Sequence, residues 1–188
     1  DDGNLYGVTL ANDIVRQWSS SAQAAAIRGR PVLIPFDDRL VAGADDGVLY
    51  FFNAKSLDKS YKVGEVKLKG SIVSEPLLLK KQLYVGAPLT PREGFWSIDL
   101  SRRKEQWHSQ DLSGGVATSP VALGKHIYFV TNSARLYALD IEKGAIRWVY
   151  QLDAVGKKFF CSPLVVNQRI YVISSSGHIL GFDELPDE

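Results

Sequence analysis

The sequence predicts an all-β chain assembled from four-stranded antiparallel blades, and three observations predict it. Strand-length apolar runs recur, and no segment of ten or more residues carries a convincing helical period. A hairpin block, clearest at Leu136–Trp148 (LYALDIEKGAIRW), reappears along the chain. Three unrelated markers also keep one period near 43 residues. Pro31, Pro76, Pro120 and Pro163 lie 45, 44 and 43 apart; Leu40, Leu83, Ile127 and Ile170 lie 43, 44 and 43 apart; Trp18, Tyr61, Trp107 and Trp148 lie 43, 46 and 41 apart.

Each unit opens at its proline, which suits a first strand residue because no ladder hydrogen bond is lost there. The strand that follows is Val32–Ile34, Leu77–Leu79, Val121–Leu123 or Leu164–Val166, apolar on both sides as befits a strand covered on both faces. Polar turns come next (Asp37-Asp38, Lys80-Lys81, Gly124-Lys125, Asn167-Gln168), and then second strands begin at Leu40, Leu83, Ile127 and Ile170. The hairpin block supplies strands three and four. In the type copy, Leu136, Ala138 and Asp140 alternate with Tyr137 and Leu139, and Glu142-Lys143-Gly144 turns the chain into Ile146 and Trp148.

Phe95–Trp107 matches this block at Ile98, Asp99 and Trp107. Leu49–Tyr61 keeps Leu-Tyr but carries Asn53 at the Asp position and Tyr61 at the Trp position; Leu5–Trp18 is a looser copy, and Ile179–Asp183 is a fifth that stops before its Trp. The chain therefore divides into a partial blade 1–20, blades 27–68, 71–112 and 113–152, and a partial blade 157–188, with seventeen strands.

A unit of this size has the dimensions of one β-propeller blade, which cannot bury both faces until it packs against neighbours. The Trp or Tyr of strand four is expected to wedge between blades, where it buries roughly 150–250 Å². Asp99 and Asp140, with Asn53 in the earlier copy, are expected to accept hydrogen bonds from the turn that follows. Seventeen strands exceed the sixteen of a closed four-bladed ring. The preferred expectation is an arc of a larger propeller, and a small closed ring is the alternative.

Composition bounds the rest. The 188 residues are 45% hydrophobic and 23% charged, ordinary for a soluble domain with one sizeable core. A net charge of +1 with scattered basic residues argues against a nucleic-acid partner. The apolar runs are too short for a transmembrane helix. Starting at Asp1 within a repeat, with neither initiator Met nor signal peptide, the chain reads as a mature or trimmed product. The lone Cys161 excludes an intramolecular disulfide, and His108, His126 and His178 do not stand at metal-ligand spacing.

The pattern S-P … h-Y-V … L-Y-A-L-D-x-x-x-G-x-x-x-W resembles the quinoprotein-type (PQQ-like) β-propeller repeat from Leu5 to Asp183. Ala138, Asp140, Gly144 and Trp148 match that family's tryptophan-docking motif; Phe51, Asn53 and Tyr61 depart from it. The resemblance implies a propeller whose structural docking residues are Trp18, Tyr61, Asp99, Trp107, Ala138, Asp140, Gly144 and Trp148. The family includes PQQ-dependent dehydrogenases with an adjacent Cys-Cys disulfide, a catalytic Asp and a calcium site. It also includes non-enzymatic BamB-like scaffolds of outer-membrane protein assembly. Cys161 alone cannot form that disulfide, and Asp45-Asp46-Gly47 sits at an ordinary turn rather than a calcium loop.

No histidine has a Ser, Cys or Asp partner that the sequence identifies as catalytic. Cys161, ahead of Ser162-Pro163, is expected to be buried or half-buried. Lys157-Lys158-Phe159-Phe160 reads as a turn into a core strand. The clear insertion is Pro88, Leu89, Thr90, Pro91, Arg92 and Glu93, closed by Gly94, and it is the candidate interaction loop. The expected function is a non-catalytic protein-binding scaffold without cofactor or metal, with self-association one way of completing the propeller. The resemblance implies a periplasmic or extracellular setting. A fragment of a PQQ-dependent dehydrogenase and a ligand-binding sensor propeller are the competing readings.

Overall fold

The computed structural model describes residues 4–9, 14–19, 25–55, 62–87, 94–116, 118–152 and 161–184, and in the first two segments the backbone together with the Leu5 side chain. It is an all-β fold. A two-stranded hairpin of β1 (Asn4–Thr9) and β2 (Ile14–Ser19) comes first. Blade one is β3 (Val32–Ile34), β4 (Arg39–Gly43), β5 (Val48–Asn53) and β6 (Lys62–Lys67). Blade two is β7 (Leu77–Leu79), β8 (Gln82–Gly86), β9 (Phe95–Asp99) and β10 (Lys104–Ser109). Blade three is β11 (Val121–Leu123), β12 (His126–Val130), β13 (Arg135–Asp140) and β14 (Ile146–Gln151). A three-stranded sheet of β15 (Leu164–Val166), β16 (Arg169–Ile173) and β17 (Ile179–Asp183) ends the described chain. Every sheet is antiparallel with its strands in sequence order.

Period-two alternation on buried strands produces the radial packing. In β12, Ile127 and Phe129 point into a core shared with Tyr84 and Phe95 of blade two. The intervening Tyr128 and Val130 point the other way, into a core shared with Ile170 and Val172. Between blades one and two, Val41, Leu49 and Phe51 meet Leu83, Val85, Trp96 and Ile98. Leu5 of the hairpin packs against Ala42, Tyr50 and Phe52 on blade one's other face. Phe95 stacks on Phe129 at 4.5 Å across the second joint, an arrangement worth about 0.5–1.5 kcal/mol beyond its buried area.

Small residues let the chain cross between blades. A Cβ on Gly43 would collide with the Ile72 side chain, and one on Gly86 with that of Val116. Ile72 and Val116 belong to the links into the next blade, and their N–H groups donate to Ala44 (3.0 Å) and Ala87 (2.8 Å). The residues just before each strand-one proline form a second seam. Arg30 pairs with Glu75 at 2.8 Å. The Glu75 N–H then donates to Ser119 Oγ (3.1 Å), and the Ser119 N–H to Ser162 Oγ (2.9 Å).

The sheets form an arc, and the described residues do not close into a ring. Leu164, Ile173 and Ile179 remain exposed on the last sheet, Ile179 at 65%. Cys161 is exposed too, which corrects the expectation of burial. Its counterparts one and two repeats earlier, Thr118 and Ser74, are buried because a following blade covers them; no described blade follows the last sheet.

Candidate functional site

Antiparallel order puts the turns of each blade at two ends. Turns between strands one and two, and between strands three and four, share one face of the arc. Turns between strands two and three, and the links between blades, share the other. The candidate loop Pro88–Glu93 lies outside the described residues; the residues flanking it, Ala87 and Gly94, lie on this second face. The Ala87 N–H donates to Gly94 O (3.3 Å), and Gly94 has φ +82°. Beside this anchor His108 stacks on Trp96 at 4.4 Å, and Gln110 Nε2 lies 3.0 Å from His108 Nδ1.

Trp107 and Trp148 occupy blade joints. Trp107 is half-buried over Tyr84 and Phe95, and its Nε1–H donates to the Ile141 carbonyl of blade three at 3.1 Å. Its indole lies against Gly144, where a Cβ would strike the ring and where φ is +67°. Trp148 sits likewise against the next sheet, edge-on to Phe182 at 5.6 Å, and pairs with buried Ala138 in the ladder. Asp140 Oδ1 accepts from the N–H groups of Glu142 (2.9 Å) and Lys143 (2.8 Å). Asp99 Oδ1 accepts from Ser101 (2.8 Å) and Arg102 (3.1 Å), and Asn53 Oδ1 from Lys55 (2.9 Å). Burial would raise the Asp140 pKa, but the two N–H donors and Arg147 outweigh it and hold the carboxyl below its ordinary value. Trp18 pairs with Leu5 in the hairpin ladder.

Blade one departs from the sequence reading. Tyr61, assigned to the tryptophan position, lies outside the described residues, and the ladder gives that position to Gly64. Gly64 pairs with Phe51 as Trp107 pairs with Ser97 and Trp148 with Ala138, each just after a bulge. Counting from Asn53 misleads because this hairpin is three residues longer than its sisters before the slot is reached. The residue facing Gly64 is Arg103 of blade two, the counterpart of Gly144 and itself at φ +51°. Arg103 Nη1 donates to Val63 O at 3.0 Å, and its guanidinium lies 5.8 Å from the Phe51 ring centroid.

On the first face, a cleft opens at each of these two joints. The cleft between blades one and two, about 320 Å³, is lined by Phe36, Asp37, Arg39, Lys81, Ser101 and Arg103. The cleft between blades two and three, about 460 Å³, has Leu79, Ala122, Leu123 and Ile141 as its apolar wall, and Lys80, Gln82, Tyr84, Gln106 and Glu142 line the rest. Burial pushes the Tyr84 phenol above its ordinary pKa against a hydrogen bond with Ser97, and Glu142 adds to the rise. Its neutral hydroxyl donates to Ile141 O at 3.5 Å.

The remaining candidates stay apart. His126 is buried and edge-on to Tyr128 at 6.2 Å, with no hydrogen-bond partner at Nδ1. His178 does have a serine partner, which the sequence reading did not identify: Ser176 Oγ lies 2.9 Å from Nδ1. The contact spans two residues of one turn, and the His178 N–H donates to Ser174 Oγ at 3.1 Å, so it ties the turn together. Lys157–Phe160 fall outside the described residues. Among the described residues no three His, Cys, Asp or Glu side chains form a metal-binding group, and no helix is long and apolar enough to cross a membrane.

Comparison with known proteins follows the same lines. The family described as outer membrane protein assembly factor BamB matches residues 1–150 and 92–185. The crystal structure of BamB from Moraxella catarrhalis superposes with TM-score 0.73 at 21% identity, over 96% of this chain and 52% of its own. This chain thus spans about half the length of that BamB. The computationally designed Ika8 protein gives TM-score 0.71 at 9% identity, over 98% of this chain and 56% of its own. The designed Ika4 protein gives 0.69 at 10% identity, over 87% of this chain and 94% of its own. At these identities the likeness is one of fold. No curated protein sequence matches.

Proposed function

This chain belongs to the outer membrane protein assembly factor BamB family, and from that premise we propose that it is a non-catalytic scaffold that holds protein partners during outer-membrane protein assembly, in the periplasm. The observation that carries the reading is the family match, which runs through every blade. Two surfaces supply contacts. One is the segment Pro88–Glu93, whose flanking residues Ala87 and Gly94 are hydrogen-bonded to each other. The other is the uncovered face of β15–β17, whose exposed Leu164, Val166, Ile173 and Ile179 favour packing against another blade, from a second copy or from further polypeptide.

A photo-crosslinking residue at Thr90, read in the bacterial envelope by mass spectrometry, tests the proposal. Lys104, on the outer strand of blade two, is the control site. Adducts with a component of outer-membrane protein assembly at Thr90 and not at Lys104 are expected. Equal labelling at both sites, or adducts with unrelated proteins alone, counts against the scaffold. Saturable binding of PQQ with calcium would favour the dehydrogenase-like reading instead.

A further inference from the structure

The two clefts on the first face are neighbours, and one turn divides them. Lys81 lines the first cleft; Leu79, Lys80 and Gln82 line the second. The partition is therefore the β7–β8 turn, with Lys80 held at φ +54°. The clefts differ in chemistry because the joints beneath them differ. Where Arg103 fills the joint the lining is cationic, and where Trp107 fills it the wall is aliphatic. In the first cleft Asp37 is neutralised by Arg39 at 3.0 Å. Lys81 is exposed and forms no ion pair with a described residue. That leaves the Lys81 ammonium and the Arg103 guanidinium as the excess charge. At the next joint a Cβ on Gly124 would collide with the Glu184 carboxylate.

We propose that this pair of clefts is a binding site for an extended segment of a partner protein, in which a carboxylate side chain enters the Lys81–Arg103 cleft and an aliphatic side chain enters the Leu79–Leu123 cleft. Charge complementarity fixes the first half, since two cations without a matching anion attract a carboxylate and steer its approach. The apolar wall fixes the second, because Leu79, Ala122, Leu123 and Ile141 gain by excluding water. The spacing fits a peptide: clefts at successive joints lie about one sheet-packing distance apart, about 10 Å, which one turn of an extended polyproline II segment spans with three residues at about 3.1 Å each, bringing residues three apart to the same side. The inference rests on the reading that this propeller binds protein, but it concerns the face opposite Ala87 and Gly94.

The test uses the intact chain and a fluorescein-labelled, end-blocked peptide of glycine and serine carrying one glutamate and, three positions on, one leucine. Fluorescence anisotropy is expected to show saturable binding. Lys81→Glu should weaken it by about tenfold or more, replacing the peptide's leucine by serine should weaken it separately, and Lys104→Glu should leave it unchanged. Binding should also fall as salt rises, because the Lys81 ammonium is exposed. No binding, equal binding of a peptide with glutamate and leucine at opposite ends, or indifference to Lys81→Glu would each overturn the proposal. Its failure would leave the Thr90 crosslinking result untouched, because Thr90 lines neither cleft.

Discussion

The joint between blades one and two and the joint between blades two and three face the same packing problem with the partners exchanged. At the second joint the earlier blade supplies the large side chain, Trp107, and the later blade supplies the glycine, Gly144. At the first joint the earlier blade supplies the glycine, Gly64, and the later blade supplies Arg103. Both arrangements end on a backbone carbonyl of the opposite blade: Trp107 reaches Ile141 O at 3.1 Å and Arg103 reaches Val63 O at 3.0 Å. What the repeat maintains is a filled joint and a capped carbonyl, and neither a particular residue nor a particular donor blade is required. The exchange has a surface consequence, because a guanidinium leaves the cleft above it cationic and an indole leaves its cleft aliphatic.

The strongest way to break this comparison is at Gly144. Gly144→Leu forces a side chain into the Trp107 ring at a backbone position with φ +67°, and urea unfolding should report a loss of about 4 kcal/mol. Trp107→Ala empties the same joint and strands the Ile141 carbonyl; about 3 kcal/mol is expected, with altered near-ultraviolet circular dichroism as a second readout. Arg103→Ala should cost less, about 1–2 kcal/mol, since it removes a charged donor and its contact with Phe51 from a half-exposed position.

The smallest effect concerns Asp140. Its folded-state pKa is lowered, so its stabilisation is present above the ordinary carboxylate value of about 3.9 and is lost as pH falls through the folded value. Asp140→Asn should therefore cost about 1 kcal/mol at neutral pH. The variant and the parent should converge as the solution is acidified through the lowered folded-state value of Asp140. Asn53, which accepts a single turn N–H in blade one, is the internal precedent for the substituted state.

Much of the arc was legible in the sequence because each strand carries its own signal. The prolines, the apolar second strands and the Asp-turn blocks placed the strands from β3 to β17, apart from the register of β6, without reference to other blades. Gly64 was not legible. The Asp-to-Trp distance is constant in blades two and three, and only pairing with Phe51 exposes the longer hairpin of blade one. Nor could sequence match Trp107 to Gly144 or Arg103 to Gly64, since each pair is divided between two blades. Burial of Cys161 was misjudged for a related reason: a repeat pattern implies a covering neighbour at every blade, and the last described sheet has none. The two clefts combine residues from adjacent blades, so no single motif announces them.

The account's central claim is that the first joint is the second with its large and small partners exchanged, and a double-mutant cycle on Gly64→Trp and Arg103→Gly tests it most directly. Urea unfolding of the parent, both single variants and the double variant would be compared at neutral pH. Gly64→Trp alone should collide with Arg103, and Arg103→Gly alone should leave the joint empty. The double variant rebuilds the tryptophan-on-glycine arrangement and should recover stability, with a favourable coupling of about 2 kcal/mol. Losses that simply add, to within about 0.5 kcal/mol, would show that the two positions do not share one packing slot and would contradict the exchange.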